Sequence, residues 1–233
     1  MSDGTKRKGF TLIELMIVIA IIAIIAAIAI PGILSATRAA NERNASSSLK
    51  TIVSAQLIFK GSDTDNNGTN DFWTADIKGL YFIAAGTPTP TPVRMIEVSL
   101  AQADGNPDPQ SDYTNPPVGT LPSTPKAGYW YLTLTTYEQP KGTTNNPLGR
   151  RNQDRFGYTT VPSGYPSTGR VIFILSENWN MFKRDPGGTS AYVQTAATVP
   201  SNDPDMVLTS AYAFFPLDPF DPTNASGAWS KLD

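Results

Sequence analysis

Two stretches of this sequence gather residues that could do chemistry. In the first, a single carboxylate, Glu14, stands inside an otherwise apolar run, since Leu15 to Ile30 carries no charged or polar side chain. An acidic side chain in a membrane-length apolar helix costs ~2.5–3.5 kcal/mol at mid-bilayer on insertion scales, so it needs a partner or a task. Just upstream lie Lys6, Arg7 and Lys8, then Gly9 and Phe10. In the second stretch, Asp63, Asp65, Asn67, Gly68 and Asp71 follow the first part of a calcium loop, D-x-[DN]-x-[DN]-G. Alternating oxygen ligands with a glycine at the sharp turn wrap a hard cation. The twelfth position is Thr74 rather than Glu, with Asp76 two residues further on, so no bidentate carboxylate closes the set. Asp63, Asp65, Asn67 and Asp71 are the candidate calcium ligands. The alternative is a solvated turn, because Asp, Asn and Gly favour turns with or without metal.

The rest of the chain offers less. It has neither histidine nor cysteine. That removes histidine-based triads, the commonest general base and the commonest zinc ligand. It also removes disulfides as staples, so loops must be tied down by packing, backbone pairing or a metal. Glu97, Glu138, Glu177, Asp185 and Asp205 are candidate carboxylates for glycoside hydrolysis. Such chemistry needs a defined separation, which spacing along the chain does not supply, and an enzyme is not expected. Trp73, Trp130, Trp179 and Trp229 could stack on sugars, but in strands and turns tryptophans more often anchor a core. Asn44, Asn67 and Asn224 begin glycosylation sequons, a short pattern that recurs by chance. The formal charge is −2, and a chain starting at Phe10 would be two units more negative. Nothing is basic enough for nucleic acid to be the main partner.

The elements that position these residues divide the 233-residue chain into a short leader, one long helix and a globular head. Residues 1–9 form a hydrophilic leader. Residues 10–32 have the length of a membrane-spanning helix, which needs ~20 mostly apolar residues. The basic triplet before it should stay cytoplasmic, leaving everything after Pro31 outside. Pro31-Gly32 is an expected bend or local melting point. Residues 33–60 continue as an amphipathic helix, with Leu49, Ile52, Val53, Gln56, Leu57 and Lys60 near one face. Some fifty helical residues would span ~75 Å.

Residues 61–127 form a loop-rich connecting region. Within it, residues 73–83 are expected to pack on the helix, and Met95 to Ala103 to form a short helix or strand. Thr87 to Pro92 and Asn115 to Pro117 read as extended or polyproline-like. Residues 128–233 carry the sheet. Its expected strands are Tyr129 to Tyr137, Phe156 to Val161, and Arg170 to Leu175 hairpinned to Met181–Arg184 through Glu177–Asn180. Met206 to Phe215 is a further expected strand, followed by a Pro/Asp-rich tail from Pro216. The class is α+β, an antiparallel sheet laid on the second half of one long N-terminal helix.

The string Lys8-Gly9-Phe10-Thr11-Leu12-Ile13-Glu14-Leu15, with Pro31 beyond it, resembles the class III signal of type IV pilins and type II secretion pseudopilins. The resemblance is strong over residues 1 to about 60; a weaker one, at Phe156 to Gly188, is to the C-terminal sheet of some pilin-like proteins. It implies cleavage between Gly9 and Phe10 by a prepilin peptidase and methylation of the new Phe10 amine. It further implies insertion in the inner membrane, handling by an assembly platform and polymerisation with itself and other pilins into a cell-surface filament. Glu14 and Pro31 would serve assembly. An ammonium on Phe10 can meet the Glu14 carboxylate of a neighbouring subunit, each charge offsetting the other's desolvation. Apolar helices packed side by side would then exclude water as a coiled coil does. A signal anchor, a secretory signal cut near Ala27-Ile28-Ala29, or a membrane-tethered calcium- or ligand-binding module are the rival readings.

Overall fold

The computed structural model describes residues 9–85, 91–105, 122–134, 136–137, 146–147, 149–177, 179–185 and 230–232. It contains two compact units, Met1–Thr37 and Arg38–Asp233. Helix α1, Leu12–Gly61, contributes to both. Its first half is built mostly from Ile, Ala, Leu and Val, and intrahelical hydrogen bonds are what let a backbone sit in an apolar medium. Lys60 lies in its last turn, where a cation favours the helix dipole. Pro31 lies inside α1 and the helix continues across it, so the expected local melting at Pro31-Gly32 does not occur. One lost hydrogen bond is tolerable within so long a run of good helix formers.

In the first unit, the large apolar side chains from Leu12 to Leu34 are exposed; Ile28 is 77% accessible. This segment is long and apolar enough to cross a membrane.

In the second unit, α1 buries Ala45, Ser48, Leu49, Ile52, Val53, Ala55, Gln56 and Phe59. The stripe centres on Ala45, Leu49, Ile52 and Gln56. Leu57, expected on this face, is exposed, because at 3.6 residues per turn it lies about 120° around the helix from Ala45. Lys60 also stays at the margin, where its Nζ sits 4.5 Å from the Phe72 ring centroid.

After α1 come β1 (Phe72–Trp73), α2 (Gly79–Phe82), β2 (Ala84–Ala85), β3 (Thr91–Pro92) and α3 (Val98–Gln102). Then follow β4 (Tyr129–Thr133), β5 (Thr136–Tyr137), β6 (Asn146–Pro147), β7 (Arg151–Asn152), β8 (Gly157–Pro162), β9 (Ile172–Ser176), β10 (Met181–Arg184) and β11 (Ser230–Leu232). Five strands form one antiparallel sheet in the order β11-β10-β9-β8-β4. Register places Tyr131 beside Thr160, Thr160 beside Phe173, and Tyr158 beside Leu175. Strand periodicity therefore sends Tyr129, Tyr131, Tyr158, Phe173, Leu175 and Met181 to one face, where they share a core with Leu49, Ile52 and Phe59 of α1. Trp73, Ile77 and Leu80 of the connecting region join that core, as expected from the sequence.

The β9–β10 hairpin has the expected strands, with Met181 opposite Leu175. The expected strand from Tyr129 to Tyr137 is divided. Pairing with β8 reaches Leu134, whose N–H donates to the Gly157 carbonyl at 2.9 Å, and Gly157 is where β8 begins, so the ladder has no partner beyond it. Thr136–Tyr137 pairs instead with Asn146–Pro147. The expected tail supplies β11, paired on the free edge of β10. The leader through Lys8, most of the Thr87–Pro92 stretch, Asn115–Pro117, Met206–Phe215 and Asn224 lie outside the described residues.

Candidate functional site

Glu14 occupies the first turn of α1, and Thr11 stands just before that helix. The Glu14 Oε2 accepts hydrogen bonds from the Thr11 backbone N–H and from Thr11 Oγ1, both at 2.9 Å. In return the Glu14 N–H donates to Thr11 Oγ1 at 3.3 Å. This reciprocal pair is a capping box, which satisfies two backbone donors that a helix start otherwise leaves open. The pattern T-x-x-E before an apolar run is visible in the sequence, so Thr11 is a site residue that a reading centred on Glu14 alone passes over. The carboxylate thus has a role within its own chain as well as any role between chains.

Phe10, immediately outside the capped turn, is 91% accessible. A Cβ placed on Gly9 would meet nothing within 4 Å. Gly9 and Phe10 are thus both exposed. Pro31 lies within the same exposed apolar stretch of helix.

The Asp-rich loop is organised differently from the calcium pattern. Asp63 caps its own turn: its Oδ1 accepts the Asn67 N–H at 3.2 Å and its Oδ2 the Gly68 N–H at 3.0 Å. Asn67 Nδ2 donates to Asp65 Oδ2 at 3.2 Å and to Asp71 Oδ2 at 3.5 Å. The guanidinium of Arg151 pairs with Asp65 and reaches Asp71 Oδ1 at 3.4 Å. Burial pushes the Asp71 carboxyl above the usual aspartate range, and the nearby Arg151 charge opposes that rise. Three of the four expected ligands, Asp65, Asn67 and Asp71, are brought together, and Asp63 serves the backbone. At the twelfth position Thr74 is bonded elsewhere, its N–H to Arg150 O at 3.0 Å and its Oγ1 to Gly149 O at 2.9 Å. Among the described residues, no cluster of three or more acidic, histidine or cysteine side chains is arranged to hold a metal.

Among the described residues, the remaining candidate carboxylates do not converge. Glu97 pairs with Lys126 at 2.7 Å, Glu177 with Arg155 at 3.5 Å, and Asp185 with Tyr165 at 3.1 Å and Arg170 at 3.8 Å. Glu138 and Asp205 lie outside the described residues. Trp73 and Trp130 are core residues, Trp179 is exposed on the β9–β10 turn, and Trp229 is outside the described residues.

Gln56 is a polar hub that the sequence does not announce. It is fully buried on α1, where its Oε1 accepts the Trp73 N–H at 3.0 Å. Its Nε2 donates to the Trp73 carbonyl and to Tyr158 Oη, and Tyr158 Oη also donates to that carbonyl at 3.1 Å. One amide thereby fixes β1 and β8 against the helix.

No curated protein and no solved structure matches this chain. Residues 4–30 match the family model described as the prokaryotic N-terminal methylation motif. With its exposed Phe10, capped Glu14 and long apolar helix, the N-terminal segment is similar to the class III signal of type IV pilins and pseudopilins.

Proposed function

We propose that this chain is a structural subunit of a type IV pilus-like filament. A prepilin peptidase cleaves it between Gly9 and Phe10, the Phe10 amine is methylated, and subunits pack through their N-terminal helices. In that packing the Glu14 carboxylate pairs with the Phe10 amine of a neighbour. The observation that carries the reading is the methylation motif at residues 4–30 joined to a helix whose large apolar side chains, Leu12 to Leu34, are left uncovered. Uncovered apolar surface of that extent suits lipid or other copies of the same helix.

Precursor and filament are then successive locations, the inner membrane first and the cell surface after assembly. The subunit's role is structural, a reading that the methylation motif supports. A minor pilin or a secretion pseudopilin would use the same segment in the same way. A membrane-tethered calcium- or ligand-binding module is the reading of a different class.

Intact mass of protein sheared from the cell surface tests the proposal. A chain that starts at Phe10, is heavier by one methyl group and sediments as a filament is the expected result. A chain starting at Met1, or after Ala29, overturns it. Substitution Glu14→Ala separates the classes, because it should abolish filament incorporation while leaving a tethered binder intact.

A further inference from the structure

We propose that Arg151 is the resident cation of the Asp63–Asp71 loop, holding Asp65 and Asp71 where a calcium ion would otherwise bind them. The loop then closes without metal, and it becomes a divalent-cation site only when that arginine is removed. This inference is independent of the filament reading.

Several observations converge on it. The side chains of Asp65 and Asp71 are 2% and 8% accessible, so both carboxylates need a nearby positive charge. Arg151 supplies it to both from one guanidinium. The side chain is delivered by backbone pairing, because β7 lies against β1 with Arg151 opposite Trp73. Its guanidinium carbon also stands 5.2 Å from the Trp73 ring centroid, a cation–π contact that aims the fork back at the loop. Asp63, first in the calcium pattern, is committed to two backbone N–H groups and is not gathered with the other two acids.

One detail marks the place as suited to an ion. Asp65 is almost wholly buried, yet its Oδ1 has no hydrogen-bond partner while Oδ2 takes both Arg151 and Asn67. Without Arg151, two buried carboxylates would share Asn67 with no counter-charge, and a hard dication with oxygen ligands would answer that deficit. A guanidinium offers directional donors where calcium offers only charge, so the native loop keeps its geometry at any calcium concentration.

The test is thermal unfolding of the full chain in detergent micelles, followed by tryptophan fluorescence in EGTA and in millimolar calcium. Wild type should unfold at the same temperature in both. Arg151→Ala should unfold several degrees lower in EGTA and recover at least half of that loss in calcium. Arg151→Ala combined with Asp65→Asn and Asp71→Asn should not respond to calcium. A wild-type midpoint that rises with calcium would make the metal, rather than Arg151, the resident cation and overturn the proposal. So would an Arg151→Ala midpoint that is unchanged in EGTA, or one that falls and ignores calcium. Should the alanine variant not fold, equilibrium dialysis of wild type against calcium decides: no bound ion at millimolar calcium supports Arg151, and one ion per chain refutes it.

Discussion

Replacing Gln56 with leucine removes a buried amide of nearly the same size and leaves its partners behind. The Trp73 N–H loses its acceptor at 3.0 Å, and the Trp73 carbonyl and Tyr158 hydroxyl lose the Nε2 donor. Tyr158 still donates to the Trp73 carbonyl at 3.1 Å, so that carbonyl stays satisfied. The stranded group is the buried N–H, which costs about 1–3 kcal/mol. The lost bond to the Tyr158 hydroxyl adds about 0.5–1.5 kcal/mol, and the leucine adds no compensating cavity or strain. The expected total of about 2–4 kcal/mol corresponds to about 5–15 °C in midpoint for a chain of this size. The assay is urea or thermal unfolding of the full chain in micelles. Tryptophan fluorescence is the signal, because the N-terminal helix stays helical in detergent and would mask a circular-dichroism transition. A double-mutant cycle with Tyr158→Phe sharpens the result: residues sharing one network should couple by about 0.5–3 kcal/mol. A Gln56→Leu loss below about 0.5 kcal/mol, or strict additivity with Tyr158→Phe, would refute the claim that this amide ties β1 and β8 to α1.

Other outcomes are equally specific. Burial pushes the Tyr131 hydroxyl up to about 12, with the Glu97 charge adding to the rise. Tyr129 and Tyr158 are raised as well, chiefly by burial. A raised folded-state value favours the neutral phenol in the fold, so this stability is whole below about pH 10 and is lost as pH climbs through about 12. Phenolate absorbance should therefore appear together with unfolding, and tyrosines that ionise smoothly in the folded chain would contradict this. Gly79→Ala should cost about 1–3 kcal/mol or more, since a Cβ there would lie 2.1 Å from Trp73 Nε1, an indole held by Asp76 at 2.9 Å. Ile52→Ala should cost about 2–5 kcal/mol by denaturant midpoint, because Ile52 is fully buried between helix and sheet. By contrast Glu97→Ala should change stability by less than about 1 kcal/mol. Its side chain is 57% accessible, and Lys126 keeps its bond to Ser48 at 2.6 Å.

What the sequence discloses follows from the range of each interaction. The apolar run from Leu15 to Ile30 and the hairpin from Ile172 to Arg184 depend on neighbours close in the chain, and their patterns are legible. The division of the Tyr129–Tyr137 strand depends on where β8 begins, a partner more than twenty residues away, and no local pattern reports it. Leu57 misled because an apolar residue at the edge of a helical stripe is assigned by angle, and the stripe's centre is known only once Ala45 and Phe59 are placed. For Asp63, Asp65, Asn67 and Asp71 the spacing reveals the turn but not Arg151, which arrives from β7 through long-range pairing. Thr11 was legible all along as the first residue of a capping box.

The uncovered apolar half of α1 also sets the reference state against which assembly must be judged. On the proposed function, a subunit that left a bilayer for a filament would trade lipid tails for leucine and isoleucine side chains, which are equally apolar. Little surface changes its exposure to water in that exchange, so the step should carry only a small heat-capacity change. Interlocking of side-chain shapes and the satisfaction of the one carboxylate, Glu14, are then left to distinguish a neighbouring helix from lipid. Such a polymer should withstand salt and yield to detergent, because a micelle restores the medium from which the helix came.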